Sequence, residues 1–277
     1  MSRSLQILIA AALVLAGAGE ASAADQSLAN FSITRPSGEP EELQEVTVTA
    51  PHLKLDWVQR NELVQKAARF VYGIAAVNNY YEYPPRWFAP VCPLVTGLPR
   101  DQGEFVLWRL TEIAAAAGSQ LGGEKCHPNL LIFVTAQQKE LLRAMENRHF
   151  GVSFGNATPS SVEQFINRPG PVKVWYNTLQ GAVGPVYVVI DRTRLRGVSQ
   201  GQLADYVAMV SLAGIKSTPH LGDAQTILRL FDGLLQTAPE GLSDWDREFL
   251  KILYHPEWSL ATPRSLIARR MVVDLVP

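Results

Sequence analysis

Charge is scarce in this chain and evenly split. Lysine and arginine number 25 and aspartate and glutamate 26, together 18% of 277 residues. A net charge of −1 supplies no long-range field. That excludes a protein held to nucleic acid by its phosphates or drawn to an anionic membrane. Histidines number five and cysteines two, which confines metal chemistry to a small site. His52, His127, His149, His220 and His255 are scattered, and no two stand at i, i+4. The H-E-x-x-H metal helix is therefore missing. No C-x-x-C, no P-loop and no G-x-G-x-x-G occurs, so the sequence makes no case for zinc at the cysteines or for a nucleotide. Neither a metal nor a cofactor is expected. A hydrophobic share of 47% excludes wholesale disorder.

The N-terminus reads as an address. Arg3 gives a thin positive start, and Leu5 to Ala18 is an uncharged run of 14 residues. Ala21-Ser22-Ala23 follows as a small-x-small cleavage pattern, with the cut between Ala23 and Ala24. The run is too short to span a bilayer, which takes about 20 residues. Residues 1–23 are therefore read as a signal peptide and the mature protein as periplasmic or secreted. No later stretch reaches 18 apolar residues, so the mature chain is expected to hold no integral membrane segment. In an oxidising compartment Cys92 and Cys126 are expected to pair as a disulfide.

Residues 24–52 are polar and read as a flexible leader. Within it, Glu45-Val46-Thr47-Val48-Thr49-Ala50-Pro51 alternates with strand period. Such a segment suits addition to the sheet edge of an envelope protein partner. It resembles the TonB box of TonB-dependent outer-membrane receptors over about six residues. An ordinary first strand or a linker is the simpler reading.

Residues 53–277 read as one α+β domain, a small sheet with several packed helices. Asp56 with Gln59 opens a helix carrying Leu63, Ala67, Phe70 and Ile74. The stretch 78–88 is a proline-bounded aromatic loop, suited either to a contact surface or to pinning itself to the core. Asp101 with Glu104 opens a helix with the stripe Val106, Leu110, Ile113 and Ala117, closed by Gly118. Leu130 to Thr135 is a buried strand. Thr135 with Gln138 predicts a capping box for a helix burying Leu141, Leu142 and Met145. Residues 149–171 read as an irregular connection. Val172 to Thr178 and Pro185 to Asp191 read as a strand hairpin. Four helices follow. Ser199 with Gln202 caps residues 201–213, Asp223 caps a helix with Ile227, Phe231 and Leu234, Ser243 caps the third, and Thr262 or Pro263 starts the last.

Three constellations bear on chemistry. Gly151-Val152-Ser153-Phe154-Gly155 matches G-x-S-x-G, and His255 lies downstream. The nucleophile elbow needs a strand before the serine and a helix after it. Here a helix precedes and Asn156-Ala157-Thr158-Pro159 follows, which favours a glycine-rich flap. Arg192, Arg194 and Arg196 share one face if the strand continues through them. Asp205, among small and greasy residues of helix 201–213, is the candidate functional acid, with a capped carboxylate as the plainer reading.

The segments Gln202–Leu212, Thr226–Phe231, Leu242–Asp246 and Leu250–Tyr254, with Arg86-Trp87, Cys92-Pro93 and Cys126–Leu130, resemble a family of uncharacterised exported proteins of Gram-negative bacteria. That likeness brings no activity. The order helix, strand, helix, strands and central helix is also similar to zincin metallopeptidases. That likeness implies a zincin-like fold in which Ala204-Asp205-Tyr206-Val207-Ala208 fills the place of H-E-x-x-H. Alanine at both ligand places cannot hold zinc or lower the pKa of its water. The expectation is a non-catalytic envelope binding or scaffold protein. The alternative is a hydrolase, with scattered metal ligands or with Ser153 as nucleophile.

Overall fold

Asp56 starts the first helix as its spacing predicts. Its carboxylate accepts from the Gln59 amide and its own amide donates to the Gln59 side chain. Helix α1 then runs Trp57–Ile74 and buries Ala67, Phe70, Val71 and Ile74. The computed structural model describes residues 56–77, 83–148, 154–155, 157–179, 182–233, 238–257 and 262–275. Expectations for Ala23, Ala24, Glu45 to Pro51, His52, His149 and Ser153 fall outside these residues.

Five strands form one sheet: β1 (Arg86–Trp87), β2 (Pro93–Thr96), β3 (Leu130–Thr135), β4 (Val172–Leu179) and β5 (Ala182–Asp191). β5 is central. Its one edge carries β4, antiparallel, with Val172 opposite Ile190 and Trp175 opposite Tyr187. Its other edge carries β1 at Ala182 and Val183, then β3 from Val186 to Asp191, both parallel. β2 pairs with the far side of β3, also parallel.

The two-residue period of β3 and β5 sorts their side chains onto two faces. Leu130, Ile132, Val134, Val186, Val188 and Ile190 join the larger core. That core is filled by α1, α2 (Arg100–Ala117), α5 (Gln200–Leu212), α6 (Asp244–Leu253) and α7 (Arg264–Leu275). Tyr187 and Val189 join a smaller core with α3 (Gln138–Arg148) and α4 (Pro159–Asn167). A sheet covered on both faces needs strands apolar in succession, as β5 is from Val186 to Ile190, all buried. Helix α5 lies deepest and buries Leu203, Ala204, Asp205 and everything from Val207 to Leu212. A helix apolar on nearly all sides belongs at the centre of a fold.

A capping box stands at Ser199/Gln202 as the spacing predicts, and Ser243 caps its helix as expected, with Asp246 closing a second box there. Elsewhere the structure corrects the expectation. α2 begins at Arg100 after Pro99, with no side-chain cap. Thr135 caps the Gln137 amide, but the Gln138 side chain donates across to the carbonyls of Pro171 and Val189 instead of closing a box. Residues 149–171 are not irregular throughout, because Thr158 caps α4 and Pro159 takes its first turn. The segment after Asp223 is a short 3₁₀ turn, Ile227–Phe231, capped by Thr226. The sheet also stops at Asp191. Its carboxylate accepts from the Thr193 amide and hydroxyl and turns the chain into a 3₁₀ segment, Arg192–Leu195. The three arginines therefore do not share a strand face.

Gly97 holds the end of β2 against β3. Its φ is +87°, and a Cβ there would stand 2.0 Å from the Val134 carbonyl oxygen. Gly97→Ala is expected to cost at least about 2 kcal/mol, from left-handed strain and the clash together. Chemical denaturation would read it as a lower midpoint.

Candidate functional site

The buried carboxylates of Asp205 and Asp246 are each engaged by several donors. Asp205 on α5 accepts from Arg109 Nε at 2.7 Å and Nη2 at 3.3 Å, and from the Leu242 amide at 2.8 Å. The pair ties α2, α5 and the approach to α6 together. The hydrogen bond to Asp205 is the largest of the effects that raise the Arg109 guanidinium. Ala204 and Ala208 beside it are fully buried in the larger core. Asp246 accepts from the Thr226 hydroxyl at 2.5 Å, the Ile227 amide at 2.8 Å and the Ser243 amide and hydroxyl at 2.9 Å. Burial pushes its carboxyl up, and these bonds oppose the rise. Glu248 is raised first by burial and further by Asp274. No group of three His, Cys, Asp or Glu side chains stands close enough to hold a metal ion among the described residues.

The described part of the aromatic loop is pinned inward. Arg86 Nη1 donates to the Leu253 carbonyl at 2.6 Å, and Trp87 Nε1 donates to the Ser211 carbonyl at 2.7 Å. Burial lowers the Arg86 guanidinium and raises the Tyr254 phenol next to it. Phe88 alone turns outward, 71% exposed.

Cys92 and Cys126 form a disulfide with their Cα atoms 5.9 Å apart. Asn129 seats one end, its Oδ1 accepting from the Cys92 amide. The bridge closes a separation of 34 residues, worth about 3 to 4 kcal/mol through the unfolded chain. Alkylation without reductant is expected to label no thiol. Full reduction is expected to lower the melting temperature by roughly 8 °C or more.

A groove of about 830 Å³ opens beside β4. Val172, Val174, Trp175 and Tyr176 of β4 form its floor. Successive strand residues point to opposite faces. A groove touching Val174, Trp175 and Tyr176 in turn must therefore run along the outer edge of β4. No described strand pairs with that edge. One wall is α4, with Gln164, Phe165 and Arg168 at its end. The other is Tyr206 and Val210 of α5 with the segment Ile215–Pro219, including Lys216.

The groove is braced from inside. Tyr176 donates its hydroxyl to the Val210 carbonyl at 2.6 Å and accepts from the Ile215 amide at 3.2 Å, and burial raises its phenol. Tyr206 stacks edge-on against Phe231, with ring centres 5.0 Å apart, and burial raises its phenol too. Trp175 packs edge-on against Phe154 and Phe165. Rigid aromatics at an open strand edge make a prepared surface for a ligand. A smaller cavity of about 300 Å³ lies between Lys66, Arg69 and Trp245, and another of about 380 Å³ lies beside Arg109 and Glu248.

The structure thus joins Cys92 to Cys126 and places Asp205 in an ion pair. His255 sits at the end of α6, its Nδ1 accepting from the Glu257 amide at 3.4 Å. Sequence reading did not find Arg168, Tyr206 or Lys216, which come together only through the fold. No helix among the described residues is long and apolar enough to cross a membrane. No family model, curated protein or solved structure matches the chain.

Proposed function

We propose that this is an exported, non-catalytic binding protein of the bacterial envelope, and that the groove beside β4 takes an extended segment of a partner. The open outer edge of β4 at the groove floor carries this reading. Unpaired strand amides and carbonyls offer main-chain hydrogen bonds to an added strand, and the flanking pockets take its side chains. The disulfide supports an oxidising compartment, periplasmic or secreted. If α5 holds the place of a zincin's central helix, alanine at positions 204 and 208 leaves no metal ligand there and Arg109 already engages Asp205, which supports the non-catalytic reading. The leader segment Glu45 to Pro51 is a second means of reaching a partner in this reading.

Incubation with a mixed library of extended peptides tests it, with retained and cleaved species read by mass spectrometry. The protein is expected to retain peptides intact. Gln164→Trp fills the groove from an exposed helix position and should weaken retention about tenfold with little change in melting temperature. Cleavage of the peptides, or retention unchanged in the variant, would contradict the proposal.

A further inference from the structure

Among the described residues, the groove is lined by cations and by no carboxylate. Arg168 and Lys216 contribute to it, and neither Asp nor Glu does. Arg168 lies half-buried with its guanidinium 5.6 Å from the centre of the Phe165 ring. Among the described residues that guanidinium has no hydrogen bond and no ion pair, and burial lowers it. Glu163, five residues earlier on α4, is engaged by Arg143 through two bonds of 2.8 and 3.0 Å. Lys173 stands behind Arg168, buried, with its ammonium donated to the Ile166 carbonyl. Burial and then the Arg168 charge lower it, so the positive charges here are crowded. On the opposite wall, Lys216 Nζ donates to the Tyr72 carbonyl at 2.6 Å and keeps its other protons for a ligand.

A cation that loses water without gaining a partner is costly, and folded proteins ordinarily pair it. An unpaired guanidinium fork at the side of a strand edge matches the two oxygens of a carboxylate. We infer that the groove selects an extended peptide segment carrying acidic side chains, one carboxylate received by Arg168 and a second by Lys216. The inference rests on the groove being a binding site and adds the charge of what it binds. The two cations lie on different walls and call for two negative charges. A single chain-terminal carboxylate supplies only one. The strand edge provides affinity that is blind to sequence, and the two cations provide the choice.

Three fluorescent octapeptides test the inference on the complete protein by anisotropy at low salt. The first, Thr-Val-Glu-Val-Thr-Glu-Val-Thr, has an amidated end. The second has glutamine at both glutamate positions. The third is the glutamine peptide with a free carboxyl terminus. The glutamate peptide is expected to bind about tenfold or more tighter than its amidated glutamine counterpart. Arg168→Gln and Lys216→Gln should each remove several-fold of that preference with melting temperatures unchanged, and added salt should shrink it. Equal binding of the glutamate and glutamine peptides would overturn the acidic preference and leave the groove as a binding site. A preference that survives in both variants would also overturn it. Tight binding of the free-terminus peptide alone would show a reader of chain ends instead. Failure of all three to bind would overturn the inference and the groove reading together.

Discussion

Replacing Asp246 with alanine is expected to remove about 4 kcal/mol of folding stability. No part of this residue reaches solvent, and its two oxygens serve four donors from Thr226, Ile227 and Ser243. Alanine leaves those donors without an acceptor where water does not readily replace it. Each orphaned buried donor costs about 1 to 3 kcal/mol, and the local chain recovers part of the total by shifting. The stabilised elements are the 3₁₀ turn Ile227–Phe231 and the start of α6, which this side chain holds together. Asp246→Asn keeps one acceptor oxygen but turns an amide toward donors, so it is expected to lose about half as much. Urea unfolding of both variants checks the order. A loss for alanine no larger than that for asparagine would contradict the bonding described.

Asp205→Ala is the second large effect, expected at about 3 kcal/mol. Breaking a buried pair by removing one partner is costly because the other charge and its donors stay behind. Here Arg109 keeps 31% of its side chain exposed, which moderates the penalty, while the Leu242 amide is left buried. Arg109→Met is expected to destabilise by a similar amount, since Asp205 then stays buried without its cation. The double variant Asp205→Ala with Arg109→Met should lose less than the sum of the single losses by about 1 kcal/mol or more, the mark of a direct partnership. Strict additivity would show that the two residues act separately.

These two carboxylates also show what a sequence does and does not disclose. The Ser243 cap beside Asp246 was legible, because a cap is a local arrangement, though the hold of Asp246 on Thr226 and Ile227 was not. So were Asp56/Gln59, Ser199/Gln202, the strand Leu130–Thr135 and the β4–β5 hairpin, each decided by neighbours in the chain. The partner of Asp205 was not legible, because Arg109 lies 96 residues earlier and only the packing of α2 on α5 brings it near. Helix α4 could have been found. Thr158 followed by Pro159 is a start signal, and Val162, Phe165 and Ile166 follow at helical spacing. The surrounding glycines, prolines and serines hid it. With α4 unseen, Arg168 had no place beside a strand, and the groove had no wall. Its floor, its other wall and its charge come from segments scattered between Ala76 and Leu228, a juxtaposition that no local pattern announces.

The central claim is that the outer edge of β4 receives an extended partner and leaves it unbroken. Hydrogen exchange of the complete protein, with and without the glutamate octapeptide, tests this in one sample, because the same spectra report peptide integrity. The account predicts slowed exchange confined to residues 172–179 and the adjoining end of α4, with the peptide recovered whole. Protection centred instead on the cavity at Lys66 and Trp245, or a peptide recovered in fragments, would contradict it.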